Sequence, residues 1–382
     1  MCGLQPRCYG LTNVALAIGC AWAIFLLARA LSLPAEAALL ASALWMFNWH
    51  GINMSVLWIS GRTALMVVVL ASLAATAFVR GRPWTAALLS FAAMLSKEEA
   101  VLLPPVLIAW SVAEAAAKRR WRPASCVVQF ALGAAAVTGL YVALRGQSGA
   151  FTPSTAPEFY QPRFTLARIV SNAPAYLDRA ATFPVAVLLS WLAIVRPARS
   201  AVRPVNWSIL RFGALWFVGA LAITVFLPVR SSLYACLPSV GVVLMAAAVV
   251  AGTSPSISTR VQRRAILAGL ALPLLLWPVY YSRNRNSVRE ADLSARTIAA
   301  LQRIASEHGE GTAVRLRDDR SHRPSLDHSF GTLVQDAADL MVTPPITVWI
   351  DPPPNDAALA GLQPPSHIDI VVTLRDGRLT GF

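Results

Sequence analysis

Apolar residues gather along this chain in ten stretches parted by short polar turns, near 11–31, 35–49, 61–80, 84–97, 99–114, 124–145, 183–196, 207–227, 234–252 and 264–282. Each is a candidate membrane-spanning helix. Several fall short of the roughly 20 residues that cross a bilayer, so half-spans or tilted pairs are expected among them. Pro104 and Pro105 lie inside the fifth stretch, and Pro273 and Pro278 inside the tenth. Kinks of that kind persist in membranes when neighbouring helices or water satisfy the freed carbonyls.

Two regions break the pattern. GQSGAFTPSTAPEFYQPR, 146–163, is rich in Pro, Gly, Ser and Thr and reads as an exposed connection. The following TLARIVSNAPAYLDRAATF sets Leu166, Ile169, Val170 and Tyr176 against Arg168, Asn172, Asp178 and Arg179. That spacing fits a helix lying at the membrane surface, or equally a weakly apolar start to the next span. Beyond Arg283 the chain turns charged and proline-rich. It predicts a helix at 291–306, a strand at 312–316, a helix at 326–340 and strands at ITVWI and DIVVTL, the last followed by a DG hairpin turn.

The predicted architecture is therefore an all-α polytopic membrane domain of about ten transmembrane helices, 1–283, followed by a small extracytoplasmic α/β domain, 284–382. Composition agrees: 56% of residues are hydrophobic, 14% are charged and the mean hydropathy is +0.55, values at odds with a soluble protein. Five scattered cysteines, Cys2, Cys8, Cys20, Cys126 and Cys236, form neither a zinc spacing nor a disulfide framework. The net charge of +14 rests on arginine, since Lys97 and Lys118 are the only lysines. In a membrane protein that excess reads topology and anionic lipid, not nucleic acid. In the C-terminal domain, Asp318, Asp319, His322, Asp327 and His328 match no ligand spacing, so a solvated loop is expected there and no metal site.

Arginine also orients the chain. RGR at 80–82, KRRWRP at 118–123, RPARSAVRP at 196–204 and TRVQRR at 259–264 are expected in the cytoplasm. Alternation then puts the turns near 50–62, 96–99, 146–163 and 228–233 outside, together with Met1 and the C-terminal domain. A short N-terminus without a cleavable signal normally starts inside. Either one span is miscounted or a first helix and its loop are missing.

Charges inside apolar sequence mark candidate chemistry, because each costs roughly 3 kcal/mol or more at a helix centre in lipid. Arg62, Lys97 and Arg230 stand at the outer ends of spans, where an arginine either snorkels to headgroups or grips a phosphate through its bidentate fork. His50 caps a helix or anchors at the interface. Lys97 and Glu98 are adjacent, so on a helix they face different ways and need separate partners. Tyr234 begins the ninth stretch, just after Arg230.

The order of LTNVALAIGCAWAIFLLARAL, a histidine with SVLWISGR, LSKEEAVLLPPVL and later LPVRSSLYACLPSVG resembles the membrane core of the GT-C glycosyltransferase superfamily. It is most similar to bacterial proteins akin to the O-mannosyltransferases that carry tetratricopeptide repeats. The resemblance spans about 11–283. It implies a polytopic inner-membrane enzyme that moves a sugar from a polyprenyl-phosphate donor to an acceptor on the extracytoplasmic face, with membrane lipids and the lipid-linked donor as partners and no nucleic acid. It assigns Arg62, Lys97 and Arg230 to the donor phosphate, with His50, Glu98 and Tyr234 in support. The chain departs from the family where its HP reads His50-Gly51 and its GR-D carries Ala64. The superfamily's catalytic acid sits in a first extracytoplasmic loop that has no counterpart here. The first aspartate is Asp178, preceded only by Glu36, Glu98, Glu99, Glu114 and Glu158.

The expectation is accordingly an N-terminally shortened version of the architecture, either a fragment or a degenerate member, with its catalytic residue unassigned. No cofactor is evident; a divalent metal would enter only in a complete version, where a carboxylate or a metal activates the acceptor. The competing reading is a transporter or a scaffold that binds lipid-linked glycans. A transporter would show paired broken helices in an internal repeat, and no repeat is present.

Overall fold

The computed structural model of the chain describes residues 6–119, 125–148, 161–195, 206–228, 230–253, 259–318, 324–353, 365–375 and 378–381. They form two compact units, Met1–Pro273 and Leu274–Phe382.

The first unit is helical. Its elements are α1 (Pro6–Ala30), α2 (Ala35–Met46), α3 (Trp49–Leu57), α4 (Arg62–Val79), α5 (Pro83–Ser96), α6 (Leu103–Ala117), α7 (Ser125–Gln147), α8 (Leu166–Val195), α9 (Trp207–Leu221) and α10 (Cys236–Thr253). Among the described residues, five helical segments are long and apolar enough to cross a membrane: Cys8–Ala30, Arg62–Val79, Glu98–Ala117, Ser125–Gln147 and Ser232–Thr253. The apolar helices α2, α5 and α9 are shorter.

Local chemistry explains where these helices begin. Pro83 opens α5, and Pro104 and Pro105 sit in the first turn of α6. A first-turn proline loses no helical hydrogen bond, because that N–H has no partner within the helix. The kink expected within the fifth stretch is thus a helix start. The amphipathic segment and the seventh stretch are continuous, forming the 30-residue α8 with Pro174 and Pro184 inside it.

Helix α10 is the most enclosed: it packs on α2, α8 and α9, and its run Cys236–Leu244 is wholly buried. Its crossing with α9 is made by two glycines. A Cβ on Gly213 would lie 2.5 Å from both the Gly241 carbonyl oxygen and Met245 Cγ. Gly213→Val should therefore push the helices apart and cost about 1–3 kcal/mol, read as a lower melting midpoint in detergent. Gly139→Ala, with nothing within 4 Å of its Cβ, should not lower it.

In the second unit, the end of α11 (Thr259–His308) leads to β1 (Ala313–Asp318), α12 (Leu326–Phe330), α13 (Val334–Met341), β2 (Thr347–Asp351), β3 (Ile370–Arg375) and β4 (Arg378–Thr380). The helix expected at 326–340 is two helices, parted at Gly331, and the helix expected at 291–306 is the last part of α11. The sheet order is β2-β1-β3-β4, with β1 parallel to β2 and β3, and β4 antiparallel to β3 as the DG turn predicts. Alternation turns Val314, Leu316, Val348, Ile350, Val372 and Leu374 to one face, where Leu293, Leu301 and Ile304 of α11 and Val334 and Ala338 of α13 complete the core.

Candidate functional site

One end of the helical unit collects the polar groups that its apolar sequence cannot bury elsewhere. The SKEE motif forms there as helix α5 stops. Lys97 is extended (φ −162°, ψ 137°), and Glu98–Leu102 make a 3₁₀ turn. Off the helix, residues two apart share a side, so the carboxylate that pairs with Lys97 Nζ is Glu99 Oε1. Glu98, adjacent to the lysine, faces another way and is exposed. The pair is internal: the Lys97 and Glu99 side chains are 11% and 2% exposed.

Lys97 Nζ also stands 4.3 Å from the centroid of the Tyr234 ring, a cation–π contact. Tyr234 sits in the 3₁₀ turn Ser232–Ala235, capped by Ser231 Oγ, which accepts from Leu233 N at 3.2 Å. Its ring meets Tyr176 of α8 edge-on, with centroids 6.4 Å apart.

Arg230 is held from α8. Its Nε donates to Asn172 Oδ1 at 2.8 Å and its Nη2 to Ser171 Oγ at 2.6 Å. Asn172 Nδ2 in turn donates to the Val225 and Leu227 carbonyls at 2.8 and 2.9 Å. One fully buried amide thus ties down the 224–227 turn and aims the guanidinium that follows it. Residues 172, 176 and 179 recur at helical spacing and share one face of α8. Burial pushes the Tyr176 hydroxyl up to about 12, opposed by the positive charges of Arg179 and Arg230 and reinforced by Glu99. Tyr176 stays protonated at physiological pH. Glu99 Oε2 and Arg179 Nη1 are buried without a hydrogen-bond partner among the described residues. Buried polar atoms of that kind are rare and call for a partner.

The other expected residues lie near this cluster in separate pairs. His50 Nε2 is 2.8 Å from Asp178 Oδ2, and Thr182 Oγ1 donates to Asp178 Oδ1 at 2.6 Å. The hydrogen bonds from Thr182 and His50 hold the Asp178 carboxyl below its ordinary value of 3.8. A depressed folded value means stability that is present above the ordinary value and is lost as pH falls through the folded one. The melting midpoint of the wild type minus that of Asp178→Asn should thus be positive at pH 6 and vanish in acid. The difference should be small, because Asp178 is 56% exposed and screened.

Arg62 begins α4, its Cζ 4.7 Å from the Tyr9 ring centroid of α1. Its place follows from WISG. A Cβ on Gly61 would lie 2.6 Å from Ser55 Cα, so only glycine lets the chain fold back on α3. Asn13 Nδ2 then holds the turn through the Trp58 and Val56 carbonyls, at 2.9 and 3.2 Å. The structure therefore brings Lys97, Arg230 and Tyr234 together, pairs His50 with Asp178 and Arg62 with Tyr9, and leaves Glu98 outside.

A cavity of about 1280 Å³ opens at the opposite end of the helices, lined by Ala30, Val79, Trp110, Glu114 and Ser208 among others. Its carboxylate is engaged: Glu114 lies 2.9 Å from Arg211 Nη2 and 3.7 Å from Lys118 Nζ. The site is placed with the charges, not with the volume.

Among the described residues no three His, Cys, Asp or Glu side chains are grouped to hold a metal. In the second unit Asp318 Oδ2 accepts from Leu326 N at 2.6 Å, capping α12, and His328 Nδ1 lies 2.7 Å from Ser325 Oγ. Asp319 and His322 are outside the described residues. Compared with known proteins, the chain matches no family model, no curated protein and no solved structure.

Proposed function

We propose that the chain is an integral, multi-pass protein of a bacterial inner membrane that binds the phosphate of a polyprenyl-linked sugar at this cluster and acts as a GT-C-like glycosyltransferase. The observation that carries the reading is the convergence of Lys97, Arg179 and Arg230 with the hydroxyl-bearing Tyr176 and Tyr234 at the end of apolar helices. A lipid-linked phosphate is the anion whose tail suits such flanks. Arg230, preset by Asn172 and Ser171, grips the phosphate; Lys97 and Arg179 neutralise it as it becomes the leaving group. Tyr176, kept protonated, donates a hydrogen bond. Helices α4 and α6 start at this end and finish at Arg80 and Lys118. That distribution of basic residues supports an extracytoplasmic site and, by alternation, an extracytoplasmic C-terminal domain.

A second reading, binding without transfer, is favoured by the engagement of Glu99 with Lys97, which ties up the buried carboxylate of the cluster. The test uses full-length protein in detergent. Undecaprenyl phosphate should bind the wild type, and Arg230→Ala should weaken it by roughly tenfold or more, the worth of a charge-assisted hydrogen bond. Equal affinity would sink the site. Sugar transfer from a radiolabelled polyprenyl-phosphate donor to an acceptor extract then separates turnover from binding alone.

A further inference from the structure

The C-terminal unit carries a charged feature that the helical cluster does not use. One face of its sheet is the apolar core. On the other, alternation and register place two arginines on β1 and one each on β3 and β4. Arg315 stands opposite Trp349 and Val371, Arg317 opposite Asp351 and Thr373, and Arg375 opposite Arg378. Arg317, Arg375 and Arg378 are exposed, and Arg315 is 39% exposed. Among the described strand residues Asp351 is the one carboxylate at these outward positions, its Oδ2 4.0 Å from Arg315 Nη1, and Asp369, just before β3, is engaged by His367. Arg375 and Arg378 are directly opposed like charges, an arrangement that destabilises a hairpin. Folding gives no reason for it; an anionic partner does.

We propose that this face docks on an anionic phospholipid surface. Its charge is complementary to such a surface. The face is one side of a sheet, suited to a planar array of headgroups rather than to a single enclosed ligand. Trp349, half-buried on the edge strand β2, is the residue type that settles at the membrane interface. The face also belongs to the same polypeptide as segments long and apolar enough to cross a membrane, five among the described residues, so its effective concentration near a bilayer is high and modest affinity suffices. A single-stranded nucleic acid fits less well. Trp349 is the lone aromatic at the outward strand positions described, and such ligands need several stacking platforms.

The test is arginine modification by phenylglyoxal, followed by mass spectrometry on the full-length protein in nanodiscs of phosphatidylcholine, with or without three parts in ten of phosphatidylglycerol. Arg315, Arg317, Arg375 and Arg378 should react on the order of fivefold more slowly in the anionic discs, and the protection should disappear near 0.5 M salt, where the Debye length falls to a few ångströms. The exposed helix residue Arg303 should react alike in both. The surface variant Arg375→Glu/Arg378→Glu should remove the protection of Arg315 and Arg317. Equal rates in the two discs would overturn the proposal, as would protection that appears only when an RNA oligonucleotide is added to the neutral discs. A chain that stays out of the discs would overturn it together with the membrane reading on which it rests, a result visible before any arginine is probed.

Discussion

Replacing Glu99 with alanine is expected to lower the stability of the helical unit by about 3–5 kcal/mol, because it strands the ammonium of Lys97 in a site where that side chain is only 11% exposed. Glu98→Ala, one residue away but exposed, should stay within about 0.5 kcal/mol of the wild type. Lys97→Met/Glu99→Met should recover most of the loss, since removing both charges leaves nothing uncompensated. Melting midpoints in detergent decide the matter. If Glu98→Ala and Glu99→Ala melt alike, the pair is not internal. The same substitution bears on the proposed function: Glu99→Gln releases Lys97 from its carboxylate, so surviving protein should bind undecaprenyl phosphate more tightly than the wild type.

Asn172→Ala should have the next largest effect. It removes the donor shared by the Val225 and Leu227 carbonyls and the acceptor that aims Arg230. One or two buried carbonyls left without a donor cost about 2–4 kcal/mol. Lipid-phosphate affinity of the surviving protein should fall as well, because the guanidinium is no longer aimed. If Asn172→Ala binds undecaprenyl phosphate as the wild type does, Asn172 does not act through Arg230.

Some of the site was legible in the sequence. Arg62, Lys97, Arg230 and Tyr234 stand out because a charge or a phenol at the rim of an apolar run is visible without a fold. Asn172, Tyr176 and Arg179 were not legible as site residues. An amphipathic pattern shows that a helix has two faces, not which of them turns inward, and here Asn172 and Tyr176 are fully buried. Asp178 was likewise read only as polar surface; its pairing with His50 joins residues far apart in the chain. That Lys97 pairs with Glu99 was not legible either, because it depends on the extended backbone at Lys97, for which the adjacent sequence carries no marker.

Helical character, the apolar runs, the change of composition after Arg283 and the strands of the C-terminal sheet follow from the sequence alone, because they depend on periodicity and hydropathy within a few residues. Where each helix begins and ends did not follow: among the described residues five segments are both long and apolar enough to cross a membrane, and the apolar stretches of α2, α5 and α9 form shorter helices. Only the tertiary structure decided which charges meet. Resting Lys97 on Tyr234 and aiming Arg230 through Asn172 depend on contacts between segments distant in sequence, and pairing Lys97 with Glu99 depends on the extended backbone at Lys97. In an apolar interior each such charge must find its partner or be expelled, so packing, not pattern, selects the pairs.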